Sequence, residues 1–329
     1  MNKTNSTLAM IFLLGVFSVA VPGARGDNVV FDGVLYSNGS YSTFSAPGAI
    51  YTNPNGINDS GEIVGTASTS TGEIQGFLYS GGAFTTIGFP GGADTYAEGI
   101  DYSGEIVGAY NDGGTFYGYV DNGGALTTIP TPGLFPTGIN DSGEIVGIYS
   151  GGFSTSGFVD SAGNLTSISV PGAYETFAEG INDSGEVVGF YFATSSGPIE
   201  GFVYNAGLYT TVNAPFPGAL GTYLFGINNA GEIAGIYANN NDEPGVGFLD
   251  SGGVFTQFPT AQDPPGFVMN ARGINDSEQV VGTFYDLAPE PGTLVLLGVA
   301  LIAFSGALLR GWLRHRSFPC AEAPARIEG

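Results

Sequence analysis

A ten-residue phrase recurs six times in this chain, and its spacing limits the fold more than any other feature. The copies begin at Gly56 (GINDSGEIVG), Gly99 (GIDYSGEIVG), Gly138 (GINDSGEIVG), Gly180 (GINDSGEVVG), Gly226 (GINNAGEIAG) and Gly273 (GINDSEQVVG). Successive copies are 43, 39, 42, 46 and 47 residues apart, and periods in this range are typical of repeat architectures. The sequence therefore predicts one repeat domain over residues 27–286.

Each repeat combines the phrase with a Gly-Phe or Gly-Tyr segment, or with Gly33-Val34 in one case, and together they predict four short strands. In one pass through the cycle, segments 76–79, 83–89, 96–100 and 105–110 alternate with turns rich in Gly, Ser and Pro. Four strands per repeat of about 40 to 45 residues is the pattern of a propeller blade. We name these strands C, D, A and B in that order.

The two ends of the domain predict that the repeats close into a ring. The sixth phrase supplies strands A and B near 273–284, while residues 30–44 supply an unpaired C and D. Joining them leaves no full-length exposed edge strand, which would invite aggregation. The predicted fold is an all-β, six-bladed β-propeller of four-stranded blades closed by strands from both termini. A β-solenoid is the alternative, although its coils usually repeat more evenly.

Between strands A and B, the phrase predicts a hairpin turn. Asn58, Asp59 and Ser60 can bond nearby backbone amides, and Gly61 suits a left-handed position. Glu278 replaces this glycine in the sixth copy. The replacement predicts a rearranged turn or a strain of about 1 kcal/mol.

A carboxylate also recurs beside the turn, at Glu62, Glu105, Glu144, Glu186 and Glu232, with Gln279 in the sixth copy. A ring of carboxylates could bind calcium, but a calcium loop needs several oxygens from one short segment. Each phrase offers at most two carboxylates, so we interpret these residues as part of the turn. No metal-binding residue and no cofactor are predicted, with calcium as the alternative.

The charge of the domain excludes some partners. Residues 27–286 contain 27 carboxylates and one basic residue, Arg272, which gives a net charge of −26. Such a surface repels nucleic acid and anionic lipid and attracts cations or basic partners. The single cysteine, Cys320, excludes a disulfide framework.

The composition of residues 27–286 also limits the kinds of catalysis that the domain could perform. The domain contains no His, Lys or Cys, which excludes Ser-His-Asp and Cys-His nucleophile systems and the usual metal ligands. Two carboxylates suffice for glycoside hydrolysis, so a carboxylate-dependent glycan hydrolase or lyase is the alternative to a non-catalytic protein. We predict the non-catalytic protein.

In a propeller, the A–B and C–D turns share one face and the B–C and D–A loops share the other. We call them the turn face and the variable-loop face. Function concentrates on variable loops held by a rigid scaffold. The candidate ligand-binding residues, which lie near the Pro-Gly corners of the variable-loop face, are Tyr51, Tyr96, Phe135, Tyr174, Tyr223 and Phe267. Alternatively, these aromatic residues fill gaps between blades.

Residues 1–26 predict a secretory signal peptide. Lys3 precedes a mostly apolar run over 8–21, and Ala24 and Gly26 supply the small residues of a cleavage site. A buried N-terminal strand is the alternative, but the apolar run is nearly continuous rather than alternating.

Residues 287–316 predict a membrane-sorting segment. Pro289, Glu290 and Pro291 precede an uncharged run over 293–309, which as a helix is about 26 Å long and can cross a bilayer core. The basic cluster that follows would stay in the cytoplasm, with residues 317–329 as a tail, and leave the repeats outside. Its anchoring residues are Arg310, Trp312, Arg314 and Arg316. A hydrophobic hairpin packed on the domain is the alternative.

The order Pro-Glu-Pro, apolar span and arginine cluster resembles the PEP-CTERM sorting signal over residues 288–316. The resemblance implies a Gram-negative bacterium that makes exopolysaccharide. It also implies export through signal peptidase, transient anchoring by the C-terminal helix, and cleavage near Pro289-Glu290-Pro291 by an exosortase-type enzyme. The cell surface or extracellular matrix would be the destination.

The phrase alternating with Gly-Phe segments such as Gly201-Phe202 resembles the HAF family of probable extracellular repeats, over nearly all of residues 30–285. This resemblance implies an extracellular location and a repeat fold. The resulting hypothesis is an exported, non-catalytic repeat protein of the cell surface or exopolysaccharide matrix. It would bind extracellular polysaccharide or a surface protein through the variable-loop face, and no nucleic acid.

Overall fold

A computed structural model describes residues 31–91, 94–150, 155–239, 245–258 and 267–286. Short strands separated by glycine-rich turns make up this part of the chain. In chain order the strands are β1 (Gly33–Ser37), β2 (Ser40–Phe44), β3 (Ala49–Ile57), β4 (Ile63–Thr69), β5 (Ile74–Ser80), β6 (Ala83–Ile87), β7 (Asp94–Ile100), β8 (Glu105–Asp112), β9 (Thr115–Asn122), β10 (Ala125–Pro132), β11 (Leu134–Ile139), β12 (Ile145–Tyr149), β13 (Ser156–Ser161), β14 (Asn164–Ile168), β15 (Glu175–Ile181), β16 (Val187–Phe192), β17 (Ile199–Asn205), β18 (Leu208–Val212), β19 (Gly221–Ile227), β20 (Ile233–Ala238), β21 (Val246–Ser251), β22 (Val254–Gln257), β23 (Phe267–Ile274) and β24 (Val280–Asp286).

The strands form antiparallel meanders arranged as the blades of a β-propeller, which confirms the predicted all-β propeller class. Separate four-stranded sheets are formed by β3–β6, by β7–β10, by β11–β14, and by β1 and β2 with β23 and β24. The other eight strands, β15–β22, belong to one sheet. Among the described residues, the prediction of six separate four-stranded blades is therefore correct for four sheets and wrong for β15–β22, which form one sheet.

The eight-stranded sheet arises from one contact between two meanders. Strands β15–β18 and β19–β22 each follow the usual antiparallel order, and a single parallel pair, Ile199 with Gly221, joins β17 to β19. The D strand of the first meander, β18, pairs with residues 201–205 of β17, so β19 reaches β17 only at Ile199, beyond the end of β18. A one-residue bridge of this kind depends on tertiary packing, so the repeat pattern did not predict it.

Strands from both ends of the domain share one sheet, as the unpaired segments at the two ends predicted. Strand β1 pairs with β2 on one side and with β24 on the other, in a register that runs from Gly33 opposite Thr283 to Tyr36 opposite Val280. The first strands of the domain are thus held by the last, and the ring of repeats closes.

Glycine at the start of each phrase allows neighbouring A strands to approach closely. A Cβ atom on Gly99 would lie 2.9 Å from the Cα atom of Gly138. A Cβ atom on Gly180 would lie 2.5 Å from the carbonyl oxygen of Phe225. Real side chains do not tolerate such distances to backbone atoms, so the inner wall of the ring requires these glycines.

The A–B turns follow the predicted hairpin chemistry, with one correction. In the first phrase the Asn58 Oδ1 atom accepts hydrogen bonds from the backbone amides of Ser60 and Glu62, at 3.1 and 2.9 Å. The side chain of Asp59, by contrast, accepts a bond from the backbone of another repeat, at Asp276. The turn therefore depends on its asparagine, and the next residue connects repeats.

The sixth turn is strained rather than rearranged. Glu278 adopts the left-handed conformation, with φ of 56°, close to the 76° of Gly61. Its backbone amide bonds the Asn275 carbonyl at 3.1 Å, as that of Gly61 bonds the Asn58 carbonyl at 3.0 Å. Of the two predicted outcomes, the strained turn is the one observed.

The predictions for both ends of the chain fall outside the described residues. They are the signal peptide over 1–26 with Ala24 and Gly26, the sorting motif Pro289, Glu290 and Pro291, the helix over 293–309, the anchoring residues Arg310, Trp312, Arg314 and Arg316, and the tail over 317–329. Within the described part of the chain, no helix has the length and apolar character needed to span a bilayer.

Candidate binding site at the channel mouth

A β-bulge in every A strand places one residue on the inner wall of the ring. The pairing register between strands A and B shifts immediately before the phrase glycine in all six repeats. Bulges commonly redirect a side chain near functional sites. The six bulged residues, which we call the bulge ring, are Asn55, Glu98, Thr137, Glu179, Phe225 and Arg272.

Two members of the bulge ring bond to the next repeat and so serve the fold. The Asn55 side-chain amide donates to the carbonyl oxygen of Ala97 at 3.1 Å. The Thr137 hydroxyl donates to the carbonyl oxygen of Ala178 at 2.9 Å. These bonds link A strands around the axis of the ring.

Glu98, Glu179 and Arg272 occupy alternate repeats and are three buried ionisable residues of the bulge ring. Burial raises the pKa of Glu98 to about 8, and the charge of Arg272 opposes that shift. Burial also raises the pKa of Glu179 well above its usual range, against Arg272 and with a further contribution from Glu98. The Arg272 guanidinium also lies 4.4 Å from the ring centroid of Phe225, which is a cation–π distance.

Glu179 has an acceptor atom without a donor. Its side chain is only 6% exposed, and its Oε1 atom has no hydrogen-bond partner among the described residues. Buried carboxylate oxygens are normally bonded, because leaving one unpaired costs about 1–3 kcal/mol or more. Glu179 therefore offers a hydrogen-bond acceptor to a ligand that enters the ring.

A second ring of residues lines the central channel on the side of the turn face. We call it the turn ring: Asn58, Asp101, Asn140, Asn182, Asn228 and Asn275. Each asparagine donates its side-chain amide to the carbonyl oxygen of the next member, at 3.0 to 3.2 Å, and the last bonds the first. The carboxylate of Asp101 cannot donate, so one of the six links is missing.

The outermost ring surrounds the channel mouth. We call it the rim ring: Asp59, Tyr102, Asp141, Asp183, Asn229 and Asp276. In five successive pairs, a backbone amide donates to the side-chain oxygen of the next member, at 2.7 to 2.9 Å. The pair from Asp59 to Tyr102 cannot form this bond, because a tyrosine ring offers no acceptor at that position.

One cavity connects the three rings. It has a volume of about 120 Å³ and is lined by residues of all six repeats, including Glu98, Glu179 and Tyr102. Space of this size holds several water molecules. Small ligands or projecting groups of larger ligands can therefore enter it, while a whole drug-sized molecule, which needs about 300 Å³ or more, cannot.

The carboxylates that recur beside the turn serve the turn and the neighbouring C strand. Glu62 accepts a bond from the Asn58 amide at 3.0 Å and another from the Ser80 hydroxyl at 3.0 Å. Glu186 likewise accepts bonds from Asn182 and Asn205. In the described residues, no group of three or more His, Cys, Asp or Glu side chains is arranged to hold a metal ion.

The candidate aromatic residues of the variable-loop face have different environments. Tyr96 and Phe135 are 3% and 1% exposed and share one core cluster, which supports the alternative interpretation that such residues fill gaps between blades. Tyr223 packs against that cluster, with its ring centroid 4.9 Å from that of Phe190. Tyr51 is half-buried and contacts Phe31 at 5.6 Å.

The two remaining candidates differ again. Tyr174 is 43% exposed, so it stays a candidate for ligand contact. Phe267 begins β23, and its side chain is outside the described part of the structure.

Sequence reasoning missed the bulge ring and Tyr102, although a signal for both was present. The residue before each phrase glycine varies among Asn, Glu, Thr, Phe and Arg, while the phrase itself is nearly constant. Tyr102 is likewise the one aromatic residue at its position in six phrases. The bulge ring and Tyr102 thus lie at variable positions within an otherwise nearly constant repeat.

No family model matches this chain, and no curated protein matches it. Solved structures similar to it include AofleA from Arthrobotrys oligospora, with 12% identity, 79% of this chain and 85% of that chain covered, and a TM-score of 0.46. A fucose-specific lectin from Aleuria aurantia has 12% identity, coverages of 69% and 84%, and a TM-score of 0.43. A gluconolactonase from Xanthomonas campestris has 12% identity, coverages of 71% and 86%, and a TM-score of 0.41. The strand pairing of this chain itself defines its fold.

Proposed function

We propose that this protein is an exported, non-catalytic β-propeller of the cell surface or exopolysaccharide matrix that retains glycans. Counting the eight-stranded sheet as two blades gives it six blades. The supporting observation is the cavity at the channel mouth, where polar groups from all six repeats converge on a rigid ring. Convergent polar groups in a concavity are the usual form of a binding site.

The location of the cavity moves the proposed site from the variable-loop face to the turn face. Tyr96 and Phe135 are buried in the core, so they cannot contact a ligand without a rearrangement. The channel mouth, by contrast, exposes Tyr102 beside carboxylates that accept hydrogen bonds. Aromatic faces and hydrogen-bond acceptors together suit a sugar, which has apolar C–H faces and polar hydroxyl edges.

A carboxylate-dependent glycan hydrolase is the second candidate, because Glu98 and Glu179 form a buried pair with raised pKa values. A general acid with a pKa near neutrality is what such chemistry requires. The pair, however, lies inside a cavity of about 120 Å³. A cavity this small leaves little room around the pair for the two sugar rings that flank a glycosidic bond, so the non-catalytic function is favoured.

Affinity electrophoresis tests the proposal. The full chain would be run through gels that contain neutral, amino-sugar or uronic-acid polysaccharides, and each polymer would then be assayed for new reducing ends. We expect retardation in at least one gel without any new reducing ends. Reducing ends that disappear in Glu98→Gln or Glu179→Gln would establish the hydrolase instead.

Cell fractionation tests the export part of the proposal. We expect the mature chain at the cell surface or in the matrix, lacking residues 1–26 and the segment after Pro289-Glu290-Pro291. Accumulation of the uncleaved chain in the inner membrane would contradict exosortase-type sorting.

A further inference from the structure

The rim ring has one opening, and it lies at Tyr102. Every other described rim residue offers a side-chain oxygen that accepts the backbone amide of its neighbour. Tyr102 breaks this sequence of bonds, and its ring is 63% exposed at the edge of the cavity. An aromatic side chain this exposed contributes little to the core, so the fold does not account for it.

Acidic groups surround the opening. Asp59 lies on one side of Tyr102 in the ring and Asp141 on the other, and each uses its Oδ1 atom to accept a backbone amide. Burial and the nearby charges of Asp183, Asp101 and Asp59 raise the pKa of Asp141. A cation at the mouth would relieve this repulsion between carboxylates.

Deeper in the same cavity, the Glu179 Oε1 atom is an acceptor without a partner in a side chain that is 94% buried. The acidic mouth and this atom are independent observations, since the first concerns charge and the second an unmet hydrogen bond. A donor group that carries positive charge satisfies both. A primary ammonium group has three N–H donors and fits a space of a few water molecules.

This inference rests on the proposed function: we propose that the ligand is a glycan with free amino groups. One amino-sugar ring packs against Tyr102, and the ammonium group of that sugar is directed into the cavity towards Glu179. The tyrosine ring packs against the C–H face of the sugar and lies close to its positive charge. Asp59 and Asp141 accept its remaining donors. The net charge of −26 on residues 27–286 disfavours acidic polysaccharides at the same surface.

Calorimetric titration of the full chain tests this inference. The probes are a hexamer of glucosamine, the fully N-acetylated hexamer, and hexalysine, at about 150 mM salt so that long-range attraction is screened. We expect the glucosamine hexamer to bind at least tenfold more tightly than the other two. Tyr102→Ala should weaken its binding at least tenfold, and Tyr102→Phe, which keeps the aromatic face, should stay within about threefold of the unmodified chain.

Three further variants separate a site from general charge attraction. Tyr102→Asp adds a negative charge and supplies the missing rim acceptor, so general attraction predicts tighter binding, whereas our proposal predicts a loss of at least tenfold. Glu179→Gln should weaken binding about fivefold or more. Tyr149 is 36% exposed and lies at the end of β12 that is far from the A–B turn. Tyr149→Ala is therefore the matched control and should leave the affinity unchanged.

The outcomes distinguish this inference from the proposed function. If the acetylated hexamer binds as tightly as the glucosamine hexamer, or if Tyr102→Ala binds normally, the amino-sugar inference is wrong and glycan retention survives. If hexalysine binds most tightly, the site recognises a basic protein instead. If no glycan is retained in gels or in titration, both proposals fail.

Discussion

Asp101 is the turn-ring residue without a side-chain amide, and Asp101→Asn should stabilise the protein. In the first repeat, the Asn58 amide donates to the Glu62 carboxylate and to the next repeat's carbonyl oxygen, both at 3.0 Å. Asp101 keeps the acceptor bonds, at 2.8 Å from the Glu105 amide and 2.9 Å from the Ser103 hydroxyl. It has no hydrogen to donate.

The size of the expected stabilisation follows from the hydrogen bonds that Asp101→Asn would gain and lose. An asparagine at 101 would gain two donor bonds, one to Glu105 and one to the carbonyl oxygen of Asn140, and would lose the second contact of the Ser103 hydroxyl, at 3.1 Å. Each net hydrogen bond contributes about 0.5–1.5 kcal/mol, and the repulsion between two neighbouring carboxylates would also end. We expect an increase of about 1–2 kcal/mol in the free energy of unfolding.

Urea denaturation at pH 7 measures this change. The midpoint should rise at an unchanged m-value, because the amount of surface exposed on unfolding stays the same. Asn182→Asp is the matched reverse substitution, since Asn182 makes both donor bonds, at 3.1 and 3.2 Å, and it should lower stability by about 2 kcal/mol. A lower midpoint for Asp101→Asn, or no effect from either variant, would refute the role assigned to the turn ring.

Three other predictions concern the turns, the inner wall and the buried glutamates. Glu278→Gly should raise stability by about 1 kcal/mol by removing a left-handed glutamate, and a thermal midpoint at or below that of the unmodified chain would contradict the strain. Gly180→Ala should cost about 1–3 kcal/mol through its 2.5 Å approach to the Phe225 carbonyl oxygen, whereas Gly88→Ala, which meets nothing within 4 Å, should have little effect in the same urea assay. The raised pKa of Glu98, about 8, means that the folded state holds a proton that the unfolded state releases near pH 4.5. Stability should therefore fall between about pH 5 and pH 8, by at most about 1.4 kcal/mol per unit for this group. Glu98→Gln should flatten that decline, and an identical pH profile for both proteins would show that Glu98 does not titrate as described.

Local features of the sequence predicted most of the fold. The turn after Ile57 and its copies, the glycine at 61 and the Gly-Phe segments specify short strands at a fixed period, and these features act within a few residues. The sequence also predicted closure of the ring, because the unpaired C and D segments at one end of the domain complement the unpaired A and B segments at the other. Glu278 shows the limit of local rules, since the five glycine-containing turns did not reveal whether the sixth would bend differently.

The candidate site could not be predicted in the same way. Glu98 and Glu179 are 81 residues apart in sequence, and they line one cavity only because the bulge in each A strand directs them to a common axis. The burial of Tyr96 and Phe135 likewise depends on packing between blades. The rim position is exposed in all six repeats, and only the arrangement of the repeats around the axis places Tyr102 at the channel mouth.

A crystal structure with the glucosamine hexamer bound tests the central claim most directly. We expect a sugar ring on Tyr102 at the channel mouth, with its amino nitrogen within the cavity and directed towards Glu179. A sugar bound on the variable-loop face beside Tyr174, with an empty channel mouth, would contradict the assignment of the site.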